Sequence, residues 1–404
     1  MDSDQQPDKR QLEERSRRFH RESKAARIPF RDRWRYWFYY LGLARRGKQR
    51  HSANYDTQYE DGFWQRGYDK YCAKINDRLV RLPAPLPDAE IPTFAHEQLD
   101  VAQLQLLMRR QVPFLIRDGA RSLPARDWTI DSLGQMAGSA MVPINEARDR
   151  PSTDTSRPTK SYHYYDFRTG PLQEVLDGIR AGKNIRTTTA EDVMHHDGGR
   201  LRQDLNLPYF ESVSGWDRNQ THWLRSRLMV GKIVGAQLLV QPQSGFTLWH
   251  SEPGDNFFVL VKGVKDWALA APYYTAAMQP RVKSTTNYHG TNIDIREPDE
   301  ALRARGFSGY LQIPKVRFRM QPGDILRIPN HWWHTVVTQP CDYTVGVSIR
   351  AIGTSNMTGI GYTVLRNLDS QYHAMARAFG KHGRIDDQLI GYPRKTRNDK
   401  VGSA

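Results

Sequence analysis

The fold is decided by Thr247-Leu248-Trp249-His250-Ser251-Glu252, together with a distant stretch, Pro329-Asn330-His331-Trp332-Trp333-His334. On a β-strand, residues i and i+2 point to the same face, so His250 and Glu252 can reach one metal ion from a single strand. A third ligand must come from a distant strand, and His334 qualifies because a turn signal and a strand-like run precede it. Two histidines and one carboxylate match the facial triad that holds non-haem Fe(II) and leaves coordination positions open. His331 would crowd the iron beside His334, so we expect it to line the pocket or to face solvent.

A lysine downstream strengthens the metal interpretation, since a His-x-Glu pair alone is common and ordinarily marks an exposed strand. The runs Asn256–Val261 and Val264–Leu269 flank Lys262-Gly263 and together predict a hairpin. Lys265 lies inside the second run, and two interpretations are open. It lies at a strand edge with its amine extended to solvent, or it points into a barrel and pairs with an anion. A dicarboxylate co-substrate bound to iron would supply that anion.

These residues resemble the JmjC and cupin-like Fe(II)/2-oxoglutarate oxygenases, in particular the group around the asparaginyl hydroxylase that inhibits hypoxia-inducible factor. The resemblance is close from about Gly231 to Arg350, and weaker similarity reaches back to Val112–Arg117. It implies a mainly β fold with helical additions. The core would be a double-stranded β-helix, the jelly-roll or cupin barrel, with an N-terminal helical region and C-terminal helices.

The resemblance also implies a site. The iron ligands would be His250, Glu252 and His334. The residues that bind 2-oxoglutarate would be Lys265, which pairs with its far carboxylate, and Thr247 and Asn256, which stand where the asparaginyl hydroxylase has residues for that co-substrate. The expected cofactors are therefore Fe(II) and 2-oxoglutarate.

Three positions depart from the asparaginyl hydroxylase. Glu252 stands where that enzyme has Asp, a change that histone demethylases of the same superfamily share. Ser348 and Arg350 stand where Asn and Trp would be expected, and Ser348 can still hydrogen-bond near the iron and co-substrate. Ser348 and Arg350 share a strand face, so Arg350 is expected to bind a substrate carboxylate or phosphate. The alternative is that Arg350 lies beyond the strand end and pairs with a nearby Asp or Glu.

The resemblance implies a dioxygenase that hydroxylates a C–H bond of a peptide, protein or amino-acid substrate, with N-demethylation as the lesser variant. A second hypothesis is an RNA oxygenase, similar to the hydroxylase of the tRNA wybutosine base, which shares the fold and a basic surface. A third is a cupin that binds metal without oxygenase activity. Lys265 argues against the third, and RNA binding that weakens with salt would favour the second.

The composition restricts the compartment and the partners. The chain of 404 residues has only two cysteines, Cys72 and Cys341, so a reducing, cytoplasmic location is expected. Apolar runs stay well below the roughly 18 residues that span a membrane. The net charge is +15, and the first fifty residues hold 15 Lys/Arg against 7 Asp/Glu. This basic segment is either a solvated helical cap or a contact for nucleic acid.

Four regions are predicted along the chain. Residues 1–95 are a basic, mostly helical extension, in which the first 27 residues are a frayed helix or disordered. A proline-rich linker, Leu82–Pro87, lies near its end. Residues 96–230 are a mixed helix and strand part of the catalytic domain, 231–352 are the barrel, and 353–404 are a C-terminal helix and polar tail. The tail helix carries an apolar seam from Leu365 to Phe379 at heptad spacing. The seam packs on its own barrel or forms a homodimer.

Overall fold

The structure of the protein is a computed structural model. It describes residues 7–46, 49–51, 57–59, 62–147, 165–190, 192–227, 229–243, 245–252, 254–280 and 289–353. The helices, α1 to α13 in chain order, are Lys9–Glu22, Phe30–Arg46, Phe63–Val80, Val101–Arg109, Ile130–Ala137, Leu172–Arg180, Arg200–Asp204, Leu207–Ser214, Trp216–Gln220, Trp223–Arg227, Thr275–Met278, Asp299–Ala304 and Ser308–Gln312. The strands, β1 to β16, are Gln49–His51, Thr57–Tyr59, Thr93–Ala95, Phe114–Arg117, Met141–Ala147, Tyr165–Pro171, Ile185–Ala190, Ile233–Pro242, Phe246–Ser251, Asp255–Lys262, Lys265–Ala270, His289–Gly290, Val316–Met320, Ile325–Ile328, Trp333–Thr338 and Tyr343–Ala351.

Two facing sheets form the core. The larger sheet has the order β3-β4-β14-β10-β16-β8-β7-β5-β6, and the smaller has the order β12-β9-β15-β11-β13. Strands β8 to β11 and β13 to β16 alternate between the two sheets and pair antiparallel, which is the topology of a jelly roll. The predicted fold, a mainly β protein with a double-stranded β-helix core and helical additions, is confirmed. The predicted C-terminal helix and its seam lie outside the described residues.

The predicted hairpin between β10 and β11 is wrong. β10 pairs with β14 and β16 in the larger sheet, whereas β11 pairs with β13 and β15 in the smaller one. The chain crosses between the sheets at Gly263, whose φ is +84°. A Cβ at this position would lie 2.8 Å from the carbonyl oxygen of Tyr343, so the crossing requires glycine. An apolar run, a glycine and a second apolar run are equally compatible with a turn inside one sheet and with a crossing.

Alternation along the strands of the larger sheet separates two cores. Phe257 and Val259 on β10 pack outward against the helices of residues 101–213. Phe258 and Leu260, one position away, face the interior of the barrel, because successive residues of a strand point to opposite faces. Burial of both faces explains why β10 reads as a continuous apolar run rather than as an alternating one.

The N-terminal helices pack on the barrel. The N-cap residue of α1 is Asp8, whose carboxylate accepts a hydrogen bond from the amide of Gln11. The helix buries Leu12 and Phe19 on one face. The ring of Phe19 stacks on Trp332, with centroids 5.7 Å apart. The expectation that the first 27 residues are frayed or disordered is therefore wrong for residues 7–27. Their charge lies on the outer face of an amphipathic helix whose inner face is apolar.

The aromatic cluster of α2 divides between interior and surface. Tyr36 and Tyr40 are fully buried, where they contact Tyr68 of α3. Phe30, Trp34 and Phe38 lie on the opposite face and are 42–51% exposed. None of the helices in the described part of the chain is long and apolar enough to cross a membrane.

Candidate metal and co-substrate site

Two of the predicted ligands lie side by side inside the barrel. His250 on β9 and His334 on β15 are direct partners in the antiparallel ladder between these strands. Partners in such a ladder point to the same face. Their ring centroids are 3.9 Å apart, and 8% and 4% of the two residues is exposed. The sheet therefore brings together two imidazoles that are 84 positions apart in the chain.

Each imidazole is held in a form suited to bind metal. The Nδ1 atom of His250 lies 2.8 Å from the carbonyl oxygen of Leu248, and that of His334 lies 3.0 Å from the carbonyl oxygen of Trp332. An Nδ1–H that donates to a carbonyl leaves the lone pair on Nε2, as in most metal-binding histidines. Burial lowers the pKa of both rings, and the neighbouring His250 lowers the pKa of His334 further. Both rings are accordingly neutral near pH 7.

The third predicted ligand is turned toward an arginine. Glu252 follows β9, and its Oε1 accepts a hydrogen bond of 2.8 Å from the Nη2 of Arg350, with both side chains less than 15% exposed. Across the described ranges, no three His, Cys, Asp or Glu side chains converge closely enough to hold a metal ion. The structure thus brings His250 and His334 together and leaves the Glu252 carboxylate beside them. Of the alternative expectation for Arg350, the acidic partner describes this geometry, and that partner is the predicted iron ligand itself. The position beyond the strand end is wrong, because Arg350 lies within β16.

Arg350 faces the barrel because of its register. It lies opposite Asn256 on β10 and opposite Gly235 on β8, and its Nε is buried without a hydrogen-bond partner. Ser348, two positions earlier, faces the same way and donates from its Oγ to the Oδ1 of Asn256 at 2.8 Å. Ser348, Asn256 and Arg350 therefore form one polar row at the end of the barrel that carries the histidines.

A buried turn sets the geometry of this end. His331 adopts a left-handed conformation with φ +62°, and its amide donates to the carbonyl oxygen of Glu252 at 2.6 Å. Asp255 accepts from the guanidinium of Arg327 at 2.7 Å and from the amide of Asn330 at 3.1 Å. His331 is 2% exposed, so of the two expectations for it, exposure to solvent is wrong. The turn ties the segment after β9 to the segment before β15.

Lys265 projects into the barrel from β11, which neighbours the strand of His334 in the smaller sheet. It is 2% exposed, and its Nζ donates to the Oε1 of Gln241 at 2.7 Å and to the Oγ1 of Thr338 at 3.2 Å. Neither partner is charged. Burial lowers the pKa of the amine to about 7, with smaller contributions of opposite sign from Cys341 and Arg186. Of the two interpretations of Lys265, the inward-facing one describes its position.

Unsatisfied polar atoms surround Lys265. The Nε2 of Gln241 and the Oγ1 of Thr344 are buried and have no hydrogen-bond partner in the described structure. A buried donor without a partner costs about 1–3 kcal/mol, so such a cluster indicates a place where a polar ligand completes the bonds. Thr247, also predicted, lies on β9 opposite Val336, half-buried, and its carbonyl accepts from Thr335 at 2.7 Å.

Two residues that sequence reasoning missed complete the cavity. Gln241 and Trp267 face inward, and the Trp267 ring stacks on His334 with centroids 6.2 Å apart and its Nε1 unpaired. A signal for Gln241 was present. The run Gln237-Leu238-Leu239-Val240-Gln241 places two glutamines on one face of an otherwise apolar strand, which marks that face as the lining of a polar cavity.

Comparisons with known proteins agree with this geometry. The pattern of the family described as the cupin-like domain matches residues 102–349. Jumonji C domain-containing protein 5 of Drosophila melanogaster is 24% identical over 276 residues, 65% of this chain and 63% of that protein. The HSPB1-associated protein 1 homolog of Danio rerio is 31% identical over 84 residues, 20% of this chain and 18% of that protein. The chain thus spans less than two thirds of the length of either relative.

The comparisons confirm the broader of the two resemblances found in the sequence. Similarity to JmjC and cupin-like proteins is confirmed, whereas the narrower placement beside the asparaginyl hydroxylase stays a prediction. The family match covers more than half of the chain and takes in every strand of the jelly roll up to β16. The chain therefore belongs to the cupin-like domain family, within the superfamily of JmjC and cupin proteins.

Proposed function

We propose that the protein is an Fe(II)- and 2-oxoglutarate-dependent dioxygenase that hydroxylates a C–H bond of a peptide, protein or amino-acid substrate. One observation carries the proposal. A pair of histidines and a buried lysine, which has no carboxylate partner among the described residues, face the same barrel interior. A cupin that only binds metal has no need of the lysine.

The donor set suits ferrous iron. His250 and His334 would bind through Nε2, and Glu252 would supply the carboxylate of the facial triad. When bound, the iron supplies the redox chemistry that couples decarboxylation of 2-oxoglutarate to oxidation of a substrate C–H bond. The buried turn at His331 holds the backbone of Glu252 through the bond from the His331 amide. The protein's contribution at this end is to fix the orientation of three ligands.

The lysine end suits a carboxylate. Lys265 would pair with the far carboxylate of 2-oxoglutarate, and the unpaired Nε2 of Gln241 supplies a further donor. Asn256, Ser348 and Thr247 are proposed to contact the co-substrate closer to the metal. Trp267 and Phe258, whose rings meet edge to face at 4.9 Å, form an apolar wall that excludes water from the space between.

We also propose that the protein is related to the asparaginyl hydroxylase group, and the proposed substrate class depends on that relationship. A second candidate, an RNA oxygenase, is favoured by the charge of α1, which carries six Lys/Arg and three Glu. Its exposed face would contact the phosphate backbone. A reducing compartment stays our expectation for the location, and both Cys72 and Cys341 are free.

Succinate release from 2-oxoglutarate tests the proposal. The purified protein with Fe(II) should release succinate, and the release should rise with one member of a panel of peptides, amino acids and tRNA. Stimulation by tRNA that disappears at higher salt would select the RNA candidate. Wild-type protein that binds neither divalent metal nor 2-oxoglutarate would exclude both candidates.

A further inference from the structure

Arg350 places a positive charge beside the three predicted metal ligands. Its guanidinium donates to Glu252 at 2.8 Å, and Glu252 directly follows the strand that carries His250. Arg350 thus adds a charge beside the site without being one of the ligands.

The ion pair makes the donor set neutral. Imidazoles bind a metal in their neutral form, and the single negative charge of Glu252 is balanced by Arg350. A divalent cation that binds here must share the carboxylate with the guanidinium or displace it. It also brings two positive charges into a buried space that already holds Lys265. Unbalanced charge is costly in such surroundings, so the metal alone is disfavoured.

A dianion reverses this penalty. 2-Oxoglutarate brings two negative charges, one toward the metal and one toward Lys265, so each ligand reduces the electrostatic cost of the other. We propose that Arg350 is a positioning residue that neutralises Glu252 and so makes metal binding depend on the anionic co-substrate. The inference rests on the proposed function, because it assumes that His250, Glu252 and His334 bind the metal.

The dependence of metal binding on 2-oxoglutarate is a binding equilibrium, so it can be measured without turnover. If the metal raises the affinity for 2-oxoglutarate by some factor, 2-oxoglutarate raises the affinity for the metal by the same factor. Arg350→Gln removes the charge and keeps most of the side-chain volume, whereas Arg350→Lys keeps the charge. If the charge of Arg350 sets the coupling between metal and 2-oxoglutarate, the coupling in Arg350→Gln should differ from that of the wild type. The coupling in Arg350→Lys should resemble that of the wild type.

The matched control is Arg319→Gln. Arg319 also lies on a barrel strand and donates to a carboxylate, Asp266, with two bonds of 2.7 and 2.9 Å. That pair is 54% and 38% exposed on the outside of the barrel, so its loss leaves the charge inside the cavity unchanged.

The experiment measures Mn(II) affinity by calorimetry, with and without saturating 2-oxoglutarate, for folded wild type and the three variants. For Arg350→Gln, Mn(II) alone should bind about tenfold more tightly than to wild type, while the affinities with 2-oxoglutarate converge, so the coupling factor shrinks by about tenfold. Arg319→Gln and Arg350→Lys should keep the wild-type coupling. Equal or weaker binding of Mn(II) alone to Arg350→Gln would overturn the inference. Wild type that binds no Mn(II) with or without 2-oxoglutarate would overturn the proposed function as well.

Discussion

Lys265 and Arg350 both extend into the barrel, and their surroundings differ in one respect. Arg350 has a carboxylate partner, Glu252, whereas the partners of Lys265 in the described part of the chain are the neutral oxygens of Gln241 and Thr338. A buried cation without a counter-ion is costly, so its presence indicates a ligand that completes the pair. A buried cation that already has an anionic partner instead changes the charge that this partner presents to a ligand. We therefore propose that the two positive charges inside one barrel serve different purposes.

Removing a predicted ligand should have the largest effect. His250→Ala, Glu252→Ala and His334→Ala should each abolish iron-dependent 2-oxoglutarate decarboxylation, because two remaining ligands hold the metal poorly. Iron content and succinate release are the measurements, and circular dichroism checks the fold. His195→Ala, an exposed histidine outside the barrel, is the control. Full iron content in Glu252→Ala would show that Glu252 serves only as the partner of Arg350.

Lys265→Met should weaken the binding of 2-oxoglutarate without lowering the stability of the protein. We expect 2-oxoglutarate to bind about 100-fold more weakly, since the charge that faces its far carboxylate is lost. The free energy of unfolding should stay equal or rise, because an apolar side chain of similar length replaces a buried cation. Calorimetry and thermal unfolding measure the two effects. A large loss of stability would mean that the bonds to Gln241 and Thr338 make Lys265 a structural residue.

The affinity for 2-oxoglutarate should fall as pH rises above about 7. Burial lowers the pKa of Lys265 to about 7, so the free site loses its proton there. A bound carboxylate favours the charged amine, so binding above this pH takes up a proton and weakens by up to about tenfold per pH unit. Titrations from pH 6 to 9 measure the trend. Lys265→Met should show a flat profile, and a slope that survives in this variant would assign it to another group.

Arg319→Gln should have the smallest effect. Its ion pair with Asp266 resembles that of Arg350 in geometry but is about half exposed. Exposed pairs contribute about 0.2–1 kcal/mol, so the free energy of unfolding should change by no more than that. Chemical denaturation measures the change. A loss of 2-oxoglutarate affinity in this variant would contradict the separation of inward and outward charges.

The residues brought together by strand parity could be predicted from the sequence. The spacing of His250 and Glu252, the position of Lys265 within an apolar run, and the parity of Ser348 and Arg350 all identify faces. The face to which a side chain points depends on its position along one strand, so it can be predicted from the local sequence. The pairing of Arg350 with Glu252 depends on strands β9 and β16, which lie in different sheets. Nothing local to either residue specifies such a contact.

The errors have equally specific causes. The break at Gly263 predicts a hairpin because periodicity reports which face of a strand is buried and not which sheet the strand joins. The charge of the first 27 residues predicts a frayed or disordered segment. The spacing of Leu12, Ser16 and Phe19, four and then three residues, was the available signal of a buried helical face.

The position of β16 has a consequence for synthesis of the chain. This strand, Tyr343–Ala351, inserts between β10 and β8 in the middle of the larger sheet, although it comes last in the described sequence. A nascent chain that has reached residue 342 holds two open strand edges facing a gap, and exposed edges of this kind pair with other chains. We expect the nascent protein to be vulnerable to aggregation just before β16 emerges. Ribosome pausing or premature termination in that interval should yield insoluble product.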